Sequence, residues 1–265
     1  SAEALAGRVP GCRACRTDQE VADAADVVFV TTYDAAIEPV ASGISWRPGQ
    51  GVVHCSGAAS LDVFDEAVRQ GALAGALHPL QAFSSVENGV ASIPGTTFGI
   101  EGEGAMRGFL EEAALAIGGL PRFLRSEDKP LYHLTGVMMG NLLIALAAQA
   151  AQLWEELGIS RAEGVTALAP MMRQVSYNLE SSGIPGAVAG PYARGDVGTV
   201  RKHLEALESR APEVLPLYCE LALTALPFGR EKGNLTPEAS EEIRRLVEQF
   251  KDREPSHSKQ VDTDD

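Results

Sequence analysis

Three histidines and a few small polar residues are the side chains in this sequence best suited to moving protons and holding a polar ligand. His54 closes the apolar run that begins at Val52, and His78 follows the run Ala72 to Leu77. Imidazole titrates near neutrality, and open parallel sheets bind their ligands beyond the carboxyl ends of the strands. A histidine at a strand end is therefore either a working group or a hydrogen-bonded brace for the adjoining turn. The same edge would carry Thr31, Thr32 and Tyr33 after a first strand, and Cys55, Ser56 and Gly57 after a second. Gln81 follows a third. His133 shares helical spacing with Gly136, Val137, Gly140, Asn141 and Ile144, which places them on one broad face. Each helical glycine costs about 1 kcal/mol relative to alanine, so Gly136 and Gly140 make sense where a backbone or a ligand comes close. An amide such as Asn141 on an apolar helix costs about 1–3 kcal/mol if left unpaired, so it bonds a neighbouring turn or points into a cleft. Arg194, followed by Gly195 and Asp196, is expected at a helix N-terminus. There it would grip a carboxylate or phosphate with two prongs, or pair with an acidic neighbour.

The elements that must position these groups fall into two sets. Val27 to Val30, Val52 to His54, Ala72 to Leu77, Thr96 to Ile100 and Pro121 to Leu124 read as short strands, with helical spacing over 61–70 and 104–117. Strands alternating with helices imply βαβ units and a largely parallel sheet. From Ser126 onward the pattern is helical throughout. One helix is expected over 128–157, ended by Gly158. A second starts at the Ser160–Glu163 capping box and stops near Gly183, a third starts at Asp196, a fourth covers 212–226, and a last one is capped by Thr236. The polar stretch 251–265 is expected to be disordered. The organisation is thus an α/β domain over 1–125 and an all-helical domain over 126–250, with the working site in the cleft between them.

A chain of 265 residues with 45% hydrophobic and 22% charged residues builds cores of ordinary size. Its net charge of −14 disfavours nucleic acid and anionic membranes. No unbroken run of 18 apolar residues occurs, so no membrane span is expected, and the stretch 137–151 reads as a buried helix. Cys12 and Cys15 form a lone C-x-x-C without the second pair or nearby histidines that a zinc site needs, so no metal is expected. A redox pair is the functional alternative. Four thiols and no secretory signal at the start point to the cytoplasm.

Four separated motifs also carry a family resemblance. They are His54 to Gly57; His78-Pro79-Leu80-Gln81-Ala82-Phe83; Tyr132-His133 with Asn141; and Gly190-Pro191 leading to Arg194-Gly195-Asp196, Thr199-Val200 and His203-Leu204. In this order they resemble the bacterial family that pairs a Rossmann-like domain with a C-terminal domain of unknown function. That family is similar to ketopantoate reductase, pyrroline-5-carboxylate reductase and the 6-phosphogluconate dehydrogenase superfamily. The resemblance implies NAD or, slightly favoured, NADP in the front domain, and a helical domain that closes the cleft and forms a homodimer. It places Thr31, Thr32, Tyr33, His54, Cys55, Ser56 and Gly57 toward the cofactor. His78, His133 and Asn141 become the catalytic candidates, and Gln81 and Arg194 hold an anionic substrate. Two departures stand out. No G-x-G-x-x-G turn follows a strand, as though the chain began after the first βαβ element. The lysine that related dehydrogenases carry one helical turn before the helix asparagine is Val137 here, with Lys129 placed too far back to replace it simply. A non-catalytic binding or regulatory protein on the same scaffold is the second reading. Hydrolysis at Ser56 is a third, weakened by the absence of a G-x-S-x-G elbow.

Overall fold

The computed structural model describes residues 2–253. It divides into two compact units, Ser1–Leu143 and Ile144–Asp265.

The first unit opens with helices α1 (Ala2–Ala6) and α2 (Asp18–Ala24), the latter capped by the Thr17 hydroxyl on the amide of Glu20. Five strands come next, β1 (Val27–Val30), β2 (Gly51–His54), β3 (Leu73–Pro79), β4 (Thr97–Gly102) and β5 (Leu120–Phe123). They form one sheet in the order β1-β2-β3-β4-β5, so β1 and β5 are its edges. The pairs β1–β2, β2–β3 and β4–β5 are parallel, whereas β3–β4 is antiparallel. The largely parallel sheet expected from alternation is therefore present with one reversed pair. Between the strands run α3 (Asp34–Ser42), α4 (Asp65–Arg69), α5 (Val86–Ser92) and α6 (Gly104–Ala116). Residues alternate between the sheet's two faces. Val28, Val30 and Val52 pack one face against Ile37, Ala41, Phe64 and Ala67. Val53, Leu77, Phe98 and Ile100 pack the other against Met106, Leu110 and Ala114 of α6.

The long helical stretch after β5 is not a uniform α-helix. It comprises α7 (Lys129–Val137), a π turn over Met138–Leu142, α8 (Leu143–Gln152) and a 3₁₀ turn over Glu155–Leu157. The widened turn contains Gly140 and Asn141, and π turns of this kind are characteristic of functional helices. The expected burial of 137–151 is corrected. Ser126–Leu157 spans 32 residues, and its most apolar 18-residue window has mean hydropathy 1.6, long and apolar enough by length and composition to cross a membrane, with 6% of that window buried. No uninterrupted apolar run marks it, because Gly140, Asn141 and Gln149 break the stretch while its central window stays apolar.

The second unit holds the remaining helices, α9 (Arg161–Gly186), α10 (Pro191–Arg194), α11 (Val197–Arg210), α12 (Leu215–Glu231) and α13 (Pro237–Lys251). Ser160 and Glu163 exchange the two bonds of a capping box, Asp196 accepts from the amide of Thr199 at 3.0 Å, and Thr236 caps α13. Regular helix geometry fails at Gly183, whose φ is +60°. The core joins Val200 and Leu204, Cys219 and Leu226, and Ile243, Val247 and Phe250. Lys251 ends α13, and the disorder expected of the tail concerns residues that lie, beyond Arg253, outside the described ones.

Candidate functional site

β3 runs three residues past the end of β2, which brings the turn after β2 beside the last residues of β3. His54 pairs in register with Ala76, two residues before His78. A methyl group added at Gly57 would stand 2.6 Å from Cδ2 of His133 and 2.7 Å from Nε2 of His78. Only glycine leaves space there, so the turn, the strand end and the helix α7 meet at one point. The rings of His78 and His133 are edge to face with centroids 5.9 Å apart. The Tyr132 hydroxyl lies 3.2 Å from Nδ1 of His78 and donates to the His78 carbonyl at 3.3 Å. Tyr132 reaches this position because Gly99 of β4 has no side chain; a Cβ there would be 2.8 Å from its ring.

The turn itself is built from hydrogen bonds to Ser56. Its hydroxyl donates to Oδ2 of Asp34, the first residue of α3, at 2.7 Å and accepts from the amides of Ala58 and Ala59. The amide of Ser56 donates to Nδ1 of His54 at 3.1 Å. The His54 ring is fully buried and tilts against Phe64 with centroids 5.4 Å apart. It thus shapes the turn from beneath, while Ser56, Gly57 and half-exposed Cys55 form the turn above it. Burial, then the nearby Lys129 ammonium, lower the His54 pKa to about 4, against the opposing pull of the Ser60 backbone and Asp34. Burial and the neighbouring His133 and Lys129 likewise lower His78 to about 4. Both rings are neutral at pH 7. Burial raises the Cys55 pKa, so it stays a thiol. Thr31, Thr32 and Tyr33 lie exposed beyond the end of β1, Tyr33 at 78%.

The other candidates sit differently. The amide of Gln81 is spent on its own loop, donating to the Thr96 hydroxyl at 3.3 Å and accepting from the Ala82 amide at 2.9 Å. Asn141 is exposed within the π turn. The broad face expected from His133 to Ile144 ends at Gly136, where a Cβ would stand 2.9 Å from the Leu80 side chain, and Ile144 is 68% exposed. A π turn rotates the residues beyond it about the helix axis, so uniform helical spacing could not locate Asn141. Arg194 belongs to the second unit, where it ends the four-residue helix α10 two residues before the Asp196 cap of α11. Gly195, at φ +69°, then turns the chain into the Asp196 cap, and the Arg194 guanidinium helps hold the Asp196 carboxyl below its ordinary range. Among the described residues no group of three or more His, Cys, Asp or Glu side chains is placed to hold a metal ion.

The residue that sequence reasoning set aside is Lys129. Its side chain is 2% exposed, with Nζ 3.1 Å from Oε2 of Glu101, itself 8% exposed. The ammonium acts electrostatically on both His54 and His78. A lysine at the first position of a helix opposes the helix dipole, and that was the available signal that it had a partner elsewhere.

Comparison with known proteins agrees with this architecture. Residues 1–79 match a Rossmann-like domain and residues 96–225 match a domain of unknown function, DUF2520. None of the curated proteins matches the chain. A solved protein from Thermotoga maritima is 26% identical, covering 78% of this chain and 79% of its own, with a TM-score of 0.67. A proposed NADP oxidoreductase from Bacteroides fragilis is 22% identical over 76% of this chain and 75% of its own, with a TM-score of 0.60. Plasmodium falciparum pyrroline carboxylate reductase, solved with NADP bound, is 12% identical over 88% of this chain and 81% of its own, with a TM-score of 0.55.

Proposed function

We propose, from the premise that this chain belongs to the family joining a Rossmann-like domain to DUF2520, that it is an NAD(P)-dependent oxidoreductase acting on a small anionic substrate. The observation that carries the reading is the meeting of Gly57, His78 and His133 at the carboxyl edge of the parallel strands. That edge is where such sheets take ligands. NADP is the favoured cofactor, since it accompanies the Plasmodium falciparum relative.

The residues present fit the nicotinamide end of a dinucleotide. Thr31, Thr32 and Tyr33 offer an exposed polar loop, and the 55–57 turn allows close approach because Gly57 has no side chain. Bound there, the cofactor would supply a hydride. The protein's own contribution is placement and a polar contact to the substrate. His78, neutral at pH 7, and His133 face the Gly57 turn and are the groups assigned to the reacting carbonyl or imine. Ser56, held by Asp34, keeps the turn in shape, and the buried His54 supports it from below. Asn141 keeps its place as a catalytic candidate, and Gln81 and Arg194 theirs as contacts to an anionic substrate, on the strength of the resemblance.

A non-catalytic ligand-binding protein is the alternative. It is favoured by the absence of a G-x-G-x-x-G turn after any described strand and by the low basicity of His78. Titrating the full-length protein with NADPH while following nicotinamide fluorescence separates the two. Saturable binding, weakened by Gly57→Val, is expected. Absence of binding would leave the non-catalytic reading.

We also assign the exposed apolar helical surface to a second copy of this chain. Within the second unit Ile144 is 68% exposed, and Met171 and Tyr177 on α9 are 65% and 63% exposed. Water-facing apolar side chains of this size mark an interaction site. The cytoplasm is the proposed location, supported by free Cys12, Cys15, Cys55 and Cys219.

A further inference from the structure

Lys129 and Glu101 form a buried ion pair that the roles above do not use. Taking two charges out of water costs several kcal/mol per ion, and such a pair adds little net stability over apolar residues. Its presence beside a candidate site therefore asks for another reason. Register supplies the geometry. His54 pairs with Ala76 and Ala76 with Glu101, so the three lie in one row across β2, β3 and β4 on the same face. Only the methyl of Ala76 stands between the histidine and the carboxylate in that row. Lys129, Tyr132 and His133 occupy positions i, i+3 and i+4 of α7 and share the helix face turned to the sheet, Lys129 on Glu101, Tyr132 on Gly99 and His133 on Gly57. On the far side, the hydroxyl of Ser126, an exposed residue just before α7, donates to Oε1 of Glu101. The other carboxylate oxygen, Oε2, faces the Lys129 ammonium at 3.1 Å.

We propose that Ser126, Glu101 and Lys129 form a proton route from solvent to the interior of the His78 site. This rests on the reductase reading, in which each hydride delivered to a carbonyl or imine must be matched by one proton. The ammonium of Lys129 gives up a proton, passed inward to the anion that forms on the substrate, and becomes an amine. The Ser126 hydroxyl then passes its proton to the Glu101 carboxylate while taking one from water, and the carboxyl so formed protonates the amine. After the cycle all three groups are unchanged, and one solvent proton has moved inward. Lys129 and Glu101 are relay and positioning residues here, distinct from the groups that touch the substrate.

The route is tested without cofactor or substrate, so its outcome is separate from that of the NADPH titration. The chain has five lysines, and in 15N-lysine-labelled full-length protein Lys129 is identified by the signal lost in Lys129→Arg. Exchange of its Nζ protons with water is measured by NMR in wild type, Ser126→Ala, Ser126→Thr and Glu101→Gln. Removing the hydroxyl is expected to slow exchange about tenfold, with Ser126→Thr restoring it and Glu101→Gln slowing it as well. Because Ser126 itself is exposed, its alanine variant should stay folded, with a melting temperature lowered by no more than the loss of one hydrogen bond, even if Glu101→Gln unfolds. Equal exchange rates in wild type and Ser126→Ala would overturn the route. NADPH binding with unaltered exchange would leave the reductase reading standing and remove only the relay.

Discussion

Gly57 is the residue on which the site's compactness turns. Replacing it by alanine puts a methyl 2.6 Å from His133 and 2.7 Å from His78, and overpacking of this kind costs about 1–3 kcal/mol. Chemical denaturation should show a lower midpoint with an unchanged slope, together with weaker NADPH binding; full retention of both would contradict the packing described. The second residue-scale expectation concerns His54. Its pKa is lowered from 6.5 to about 4 in the folded chain, so between those values the unfolded state binds more protons. Its contribution is complete above pH 6.5 and is lost as pH falls toward 4. That loss amounts to about 2 kcal/mol by pH 5. Wild type should therefore lose more stability between pH 7 and pH 5 than His54→Gln, and parallel melting-temperature curves would refute this. Both histidines were legible in the sequence because each closes an apolar run. Lys129 was not, because its distance from Asn141 along the chain hid its distance from Glu101 across the sheet.

At the scale of elements, helix glycines divide by what surrounds them. A methyl placed on Gly108 in α6 would have nothing within 4 Å, so Gly108→Ala should stabilise the protein by about 1 kcal/mol through helix propensity. Gly229 in α12 abuts the backbone carbonyl of Tyr192. There the same substitution should destabilise, since α10 and α12 must separate. Thermal melts of the two variants should move in opposite directions, and a shift of the same sign in both would count against the packing of α10 on α12. Helix starts were readable because a cap is a local matter of one hydroxyl or carboxylate and one amide, as at Ser160, Asp196 and Thr236. The direction of β4 was not, because alternation along a strand is the same whichever way the strand runs. The π turn escaped for a similar reason: Gly140 and Asn141 fit an ordinary helix until packing on either side is known.

For the whole molecule, the exposed methionines and leucines of the long helix and α9 lead to a concrete expectation. Sedimentation should give a dimer in dilute buffer without detergent, and Ile144→Glu or Met171→Glu should shift it toward monomer while raising solubility. A monomeric wild type would remove the second copy as the occupant of that surface. The stretch 137–151 reads as a buried helix in the sequence, since an apolar helix reads alike whatever covers it; for α9 the sequence carried no such signal.

The reversed pairing of β3 and β4 has one more consequence. The chain leaves the sheet after Pro79 and re-enters at Thr97 on the same edge, closing with a bond from the Leu80 amide to the Thr97 carbonyl. Segment 80–96 is therefore a handle attached at both ends to the rim that holds His78. Its outer part, residues 82–91, can be exchanged while Leu80 stays on Thr97, Ile93 in the core and Thr96 on Leu120, which makes it the place to graft a different ligand preference onto an unchanged frame.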